Sequence, residues 1–441
     1  MTAATGLVDH LVRTYYPASG SELIVGGHTA SDLAQRFETP LYVFDADVLR
    51  RQFRSVRDAL GPRVHVLFAL KANPNAAVAQ VFHQEGAGAE VASAGEIVIA
   101  RRAGFDGANM QFAGPGKHGE DFELALEHGV TLNIESVAEL DAFAAAARAA
   151  QKEAPIALRV NPPDAKAGSR MRMGGGSAKF GIDIDALPGV AQHAESLAGV
   201  SLKGLHTYAG TQTFEYQGWL DHAAFLIDAA GQVEAKIGRP LETLNFGGGF
   251  GFPVFDSDDT FDIAAAGEGL QALIDKDNRP QRRYFVELGR YLVAPAGVFL
   301  TRVTYVKESS GKRHAIVDGG MNQHAAAAGL GTVIRRSFPM AKATALTEDA
   351  AADDGGCQLG GPLCTPADAF PTRRDLPTLT TGDLVAILSS GAYGLTFSNV
   401  LFLSHGAPAE VLVDGGQAHV VRERGRPQDA LRGQRLPGEQ A

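Results

Sequence analysis

Along the chain, short runs of β-branched and apolar residues alternate with longer stretches in which apolar positions recur at helical spacing. Eight runs precede Arg290: Val64–Leu70, Ala89–Ala92, Asn109–Ala113, Thr131–Ile134, Ile156–Val160, Leu202–His206, Thr243–Phe246 and Arg283–Glu287. The stretches between them carry helix-start signals. Ser93-x-x-Glu96 and Ser136-x-x-Glu139 match the capping box, in which side chains take up the N–H groups that a first helical turn leaves over. Glu139–Ala150 and Tyr216–Ile237 read as Ala-rich helices. Regular alternation of strand and helix implies an α/β fold with a parallel sheet. Eight such units close into a TIM-type (β/α)8 barrel, with an open doubly wound sheet as the alternative.

The rhythm changes after Arg290. Phe299–Glu308, His314–Asp318, Gln358–Leu363, Asp383–Leu388 and Glu410–Val421 read as strands, with no helix between most of them. They predict a second, mainly antiparallel β domain, built from the C-terminal part plus an N-terminal strand. The N-terminal part offers a strand at Leu23–Val25 and an extended stretch at Thr39–Asp45. The expected boundaries are 1–44 for the N-terminal segment, 45–298 for the barrel, 299–423 for the β domain and 424–441 for a polar, disordered tail. Residues 341–356, rich in Ala, Asp and Gly, read as a surface excursion.

Composition narrows the class. With 441 residues, 45% hydrophobic and 20% charged, the chain has the balance of a folded soluble protein long enough for two domains. No apolar run is long enough to span a bilayer, and the N-terminus lacks the pattern of a secretion signal. Two cysteines, Cys357 and Cys364, argue against a disulfide framework and for a reducing, cytoplasmic setting. A net charge of -10 with scattered arginines argues against a nucleic-acid surface.

Barrel enzymes place their chemistry at the C-terminal ends of the strands, where the loops converge. The unusual residues fall there. Lys71 follows the first run, Glu135 the fourth and Asn161 the fifth. His206 ends the sixth, Gly247, Gly248 and Gly249 follow the seventh, and Glu287 ends the eighth before Gly289 and Arg290. Loops after the seventh and eighth strands commonly bind phosphate through bare backbone N–H groups, and Arg290 could add a fixed charge. A lysine ending a buried strand would be desolvated and suited to a Schiff base. Lysine and phosphate site in one mouth suggest pyridoxal phosphate, and equally permit a Schiff-base aldolase.

Ordered motifs then narrow the choice: FALKAN (68–73), GAGAEVASAGE (86–96), FAGPGK (112–117), KFGI (179–182), GLHTYAGTQ (204–212), NFGGGFG (245–251), ELGRYLVAPAG (287–297), VDGGM (317–321), GPLC (361–364) and GAYG (391–394). With these, the chain resembles the fold-type III pyridoxal-phosphate decarboxylases, the group of diaminopimelate and ornithine decarboxylases. The resemblance implies that Lys71 carries the cofactor as a Schiff base and that His206 stacks on its ring. It implies that Gly247, Gly248, Gly249, Gly289, Arg290, Tyr393 and Thr211 surround the phosphate, and that Glu287 pairs with the pyridine nitrogen. It implies a homodimer in which Cys364 is supplied by the partner subunit as the acid. Racemases of this fold usually offer arginine to the ring nitrogen, so Glu287 favours decarboxylation. Pyridoxal-phosphate homeostasis proteins resemble the barrel alone, and residues 300–421 count against them.

Three departures bear on the substrate. Diaminopimelate decarboxylases usually carry an Arg-Pro-x-x-Tyr element for the distal carboxylate, where this chain has Met321–Gly329 with His324 and four alanines. The residue after the cysteine is usually acidic and pairs with the distal ammonium; here it is Thr365. The usual Glu-Pro-Gly-Arg reads Glu287-Leu288-Gly289-Arg290, which keeps both charges. His324 and Thr365 are therefore the candidate substrate contacts. The Cys-Thr-Pro element and the run to Arg335-Arg336 resemble a specialised-metabolite branch acting on conjugated or carrier-bound amino acids. The basic pair could meet an acidic carrier, or be a solvated loop.

Overall fold

The computed structural model describes residues 6–162, 169–172, 179–208, 210–330, 336–347, 357–371 and 376–438. Two compact units emerge. One comprises residues 50–252 and 259–292; the other comprises 1–49, 253–258 and 293–441.

The first unit is a closed barrel of eight parallel strands: β1 (Val64–Ala69), β2 (Gly88–Val91), β3 (Met110–Phe112), β4 (Thr131–Ile134), β5 (Ala154–Asn161), β6 (Val200–Thr207), β7 (Thr243–Gly248) and β8 (Arg283–Leu288). β8 pairs with β1 to close the ring. Each of the eight apolar runs forms one strand, so the sequence period of strand and helix is the architecture. The helix over Tyr216–Ile237 spans the expected residues, and the one anticipated at Glu139–Ala150 starts at Val137. Both capping serines accept the N–H of the predicted glutamate at 3.2 Å. The glutamates themselves reach one residue beyond the cap, Glu96 to the N–H of Ala92 and Glu139 to that of Glu135. Each helix start is thereby fastened to the strand end before it.

The second unit is built on one long strand, Gly297–Ser309. It pairs antiparallel with Lys312–Val317, with Leu384–Ile387 and with the N-terminal strand Leu41–Asp45. Leu41–Asp45 lies parallel to Ala409–Asp414, and Lys312–Val317 parallel to Cys357–Gly360, so the sheet is mainly antiparallel with two parallel pairs. The N-terminal contribution comes from the Thr39–Asp45 stretch. Leu23–Val25 supplies only a two-residue strand that pairs with His28–Thr29. Glu410–Val421 is not one strand but a hairpin, because Gly415 and Gly416 turn with φ of 56° and 76°. A Gly-Gly pair at positive φ is what a tight two-residue turn requires. The tail is described through residue 438 and holds a 3₁₀ turn at Pro427–Leu431. No described helix is long and apolar enough to cross a membrane.

Candidate active site

The barrel interior is polar where most barrels are aliphatic. Register puts Glu90 opposite Gln111, and Arg159, His206 and Asn245 abreast on successive strands. All five are buried, as is Glu287. Such groups destabilise a core unless each finds a partner, so their pairings define the site.

Lys71 sits in the 3₁₀ turn Leu70–Ala72 that ends β1. Its Nζ donates to both carboxylate oxygens of Glu90 at 2.8 Å. The expected desolvated lysine is corrected here: the Lys71 side chain is 39% exposed and Glu90 1%. Desolvation falls on the acid instead. Burial pushes the Glu90 carboxyl up to about 7, against the pull of Lys71 and with repulsion from Glu287. The Tyr208 ring centroid lies 5.7 Å from Nζ.

Glu287 behaves oppositely. Burial alone would raise its carboxyl, but the His206 charge outweighs that, helped by Lys71 and Asn245, and holds it below the usual range. His206 Nε2 stands 3.1 Å from Oε1, and Asn245 Nδ2 donates to the same oxygen at 2.7 Å. Two buried acids in one barrel are thus driven apart. Glu90 can hold a proton near neutrality, while Glu287 stays ionised.

Gly247, Gly248 and Gly249 form a turn with no room for side chains. A Cβ on them would lie 2.4 Å from the Thr207 carbonyl oxygen, 1.6 Å from that of Glu287 and 1.9 Å from that of Gly210. Thr211, in the strand Gly210–Thr213, packs beside this turn, its Cα 3.4 Å from a Cβ built on Gly249. A Cβ on Gly289 would meet that of Ala72 at 2.8 Å, so the end of β8 passes close to the Lys71 turn. Arg290 opens the next short helix. This set fits pyridoxal phosphate. The amine can take the aldehyde, the buried ionised carboxylate can pair with a protonated ring nitrogen, and the side-chain-free turn can admit the phosphate.

Glu135, at the end of β4, has an organising role. It accepts from the N–H of Gly114 at 2.9 Å, from that of Gly181 at 3.2 Å and from Arg159 at 2.9 Å. The FAGPGK and KFGI motifs are thereby tied to one carboxylate. Lys117, buried against Glu139 at 2.7 Å, adds a second tether. Asn161 donates to Asp183.

The remaining candidates lie in the second unit. Cys364 is exposed, with its thiol free of disulfide. Asp368 orders its turn, accepting from the N–H groups of Leu363 and Met321 at 2.7 Å each, which joins GPLC to VDGGM. Thr365 accepts the N–H of Ala367 at 3.3 Å. Tyr393 holds a left-handed φ of 52°, uncommon for a bulky residue. His324 does not present itself to a substrate. It is fully buried, with Nδ1 accepting the N–H of Ala327 and Nε2 donating to Ser390, and burial lowers its pKa to about 3. It packs against Tyr42, Phe299 and Phe338 as a neutral core histidine. Arg335 lies outside the described residues. Arg336 is exposed over the Phe255 ring.

Sequence reading passed over Glu90, Gln111 and Asn245, although all lie in or beside quoted motifs. Period-two alternation from the strand ends would have put them on the inner face.

The pyridoxal-binding domain of the pyridoxal-dependent decarboxylases matches residues 46–294. The L-glutamyl-[BtrI acyl-carrier protein] decarboxylase of Niallia circulans is 37% identical over 403 residues, covering 90% of this chain and 94% of that protein. The diaminopimelate decarboxylase of Pseudomonas aeruginosa is 36% identical over 422 residues, covering 94% and 97%. The crystal structure of the M. jannaschii diaminopimelate decarboxylase with L-lysine superposes with a TM-score of 0.87 at 25% identity, covering 95% and 97%. With relatives of that extent and a barrel built around Lys71 and Glu287, the chain belongs to the fold-type III pyridoxal-dependent decarboxylases and is a carboxy-lyase.

Proposed function

We propose that the substrate is an amino acid attached through its side chain to a carrier protein or another group, in a specialised-metabolite pathway. Removing an α-carboxylate requires that carboxylate and the α-amine both to be free. An acidic amino acid on a carrier must therefore be joined through its distal carboxyl, which becomes a neutral acyl group. The observation that carries the reading is that both stretches matching the family's distal contacts are neutral. Thr365 stands where the family has an acid, its hydroxyl engaged in its own turn, and Met321–Gly329 supplies neither arginine nor tyrosine. The similarity to a decarboxylase acting on a carrier-bound glutamyl group supports it.

Pyridoxal phosphate supplies, when bound, the electron sink for the pair left behind by carbon dioxide. Glu287 would pair with the protonated ring nitrogen, and His206 would pack on the ring. Lys71 would hold the cofactor through its amine, and Glu90 accepts from that amine. The phosphate is held by Gly247–Gly249, Thr211, Gly289, Arg290 and Tyr393. Cys364, from the partner subunit of a homodimer, returns the proton. The cytoplasm suits this exposed thiol.

The test is carbon dioxide release from glutamyl-carrier thioester, free glutamate and free meso-diaminopimelate under identical conditions. Turnover of the thioester alone is expected. Robust turnover of free meso-diaminopimelate would instead establish the second reading, a diaminopimelate decarboxylase, which the Pseudomonas relative favours.

A further inference from the structure

Asn245 sits on β7 two residues before the glycine turn, buried to 1% exposure. Its amide meets three partners. Oδ1 accepts the backbone N–H of Gly247 at 2.9 Å. Nδ2 donates to Glu287 Oε1 and to Gln111 Oε1, each at 2.7 Å. The orientation is fixed by chemistry. A backbone N–H can only donate, so the atom facing Gly247 must be the oxygen. The two hydrogens of Nδ2 then match two acceptors. Flipping the amide would set N–H against N–H at the turn and oxygen against oxygen at Glu287.

We infer that Asn245 is a positioning residue that couples the phosphate turn to the carboxylate of the ring nitrogen through one amide. Gln111 accepts the second hydrogen of that amide. The inference rests on the assignment of Glu287 to the pyridine nitrogen and of Gly247–Gly249 to the phosphate. Asn245 fills one side of Glu287 Oε1 while His206 Nε2 approaches the same atom at 3.1 Å. The Asn245 donor and the His206 charge both favour the ionised carboxylate. At the other end, the bond to Gly247 fixes the first peptide of a turn whose φ of 66° a side chain would strain.

The coupling separates two substitutions. Asn245→Ala removes all three bonds. Asn245→Asp keeps an acceptor for Gly247, but it loses the donor and sets a second carboxylate beside the first, which favours protonation of one of the two. Two readouts follow each end. The ratio of affinities for pyridoxal 5'-phosphate and pyridoxal reports the phosphate turn. The pH dependence of the bound cofactor's visible absorbance reports the ring nitrogen and Glu287. Glu287→Gln serves as the reference for the second, and a melting curve for every variant checks folding.

Asn245→Ala is expected to lower the affinity ratio by about tenfold, the scale of one buried hydrogen bond, and to shift the absorbance profile. Asn245→Asp is expected to keep the ratio within about twofold of wild type, since its bond to Gly247 remains, while sharing the absorbance shift of Glu287→Gln. A folded Asn245→Ala unchanged in both readouts overturns the inference. So does Asn245→Asp losing the ratio as fully as Asn245→Ala, which would mark a packing role alone. A shift in Glu287→Gln that Asn245→Asp does not share overturns the coupling and spares the assignment of Glu287. No shift in Glu287→Gln overturns that assignment, and the inference with it.

Discussion

At the scale of single residues, the two buried acids carry the most direct predictions. Glu287→Gln keeps the shape and removes the charge, so carbon dioxide release should fall by about 10²–10³-fold in kcat, the usual effect of losing one preorganised electrostatic partner. Steady-state rates with the natural cofactor decide this, and full activity would remove Glu287 from the ring nitrogen. Lys71→Ala should abolish the visible Schiff-base absorbance of the purified protein. The core histidine gives a pH effect. Its folded pKa of about 3 lies below the ordinary 6.5, so the unfolded chain binds the proton more readily. The corresponding stability is complete above pH 6.5 and is lost as pH falls toward about 3. The loss reaches about 1.4 kcal/mol per pH unit at most. His324→Gln should flatten the acid side of the melting-temperature profile, and an unchanged slope would assign the acid sensitivity elsewhere. Lys71, His206 and Glu287 were legible in the sequence because they end strands, where position alone implies the mouth. Glu90 and Asn245 lie inside strands, where only period-two alternation counted back from the strand ends marks the inner face. His324 misled because histidine composition is silent about burial.

At the scale of elements, Glu135 ties two motif-bearing loops and one arginine to the end of β4. Glu135→Ala would leave Arg159 charged, buried and unmatched, and would strip acceptors from Gly114 and Gly181. A cost of about 3–5 kcal/mol follows from breaking a buried pair on one side. Chemical denaturation measures it, and limited proteolysis should show earlier cutting near residues 114–119. A loss below about 1 kcal/mol would mean that the loops stand without this carboxylate. The barrel elements themselves were readable because each strand is a short, mainly apolar run set between helix-start signals. The β unit was less so. Its hairpin turns at Asp414-Gly415-Gly416-Gln417 inside a stretch read as one strand, and its N-terminal partner proved to be Leu41–Asp45, whose five buried residues carry no alternation to announce a face.

At the scale of the whole molecule, the proposed sharing of sites across a two-fold axis predicts complementation. Lys71→Ala and Cys364→Ala should each be inactive alone. Mixed and allowed to exchange subunits, they should regain about one quarter of wild-type activity, since half the dimers are mixed and each holds one intact site. No recovery, with exchange verified by mass, would place Cys364 in its own subunit's chemistry or outside the reaction. The order of the chain has a further effect. Leu41–Asp45 is made near the beginning, but its neighbours Gly297–Ser309 and Ala409–Asp414 emerge only after the complete barrel. About 250 residues separate Asp45 from Gly297, which at ribosomal speed is a wait of the order of ten to fifty seconds. During that interval a strand that is apolar except for Asp45 has no sheet to join, while the barrel behind it can already fold. Newly made chains should therefore gain protease resistance first in residues 50–292 and only later in the rest. Until then, the five residues Leu41–Asp45 are the segment most in need of a chaperone's grip.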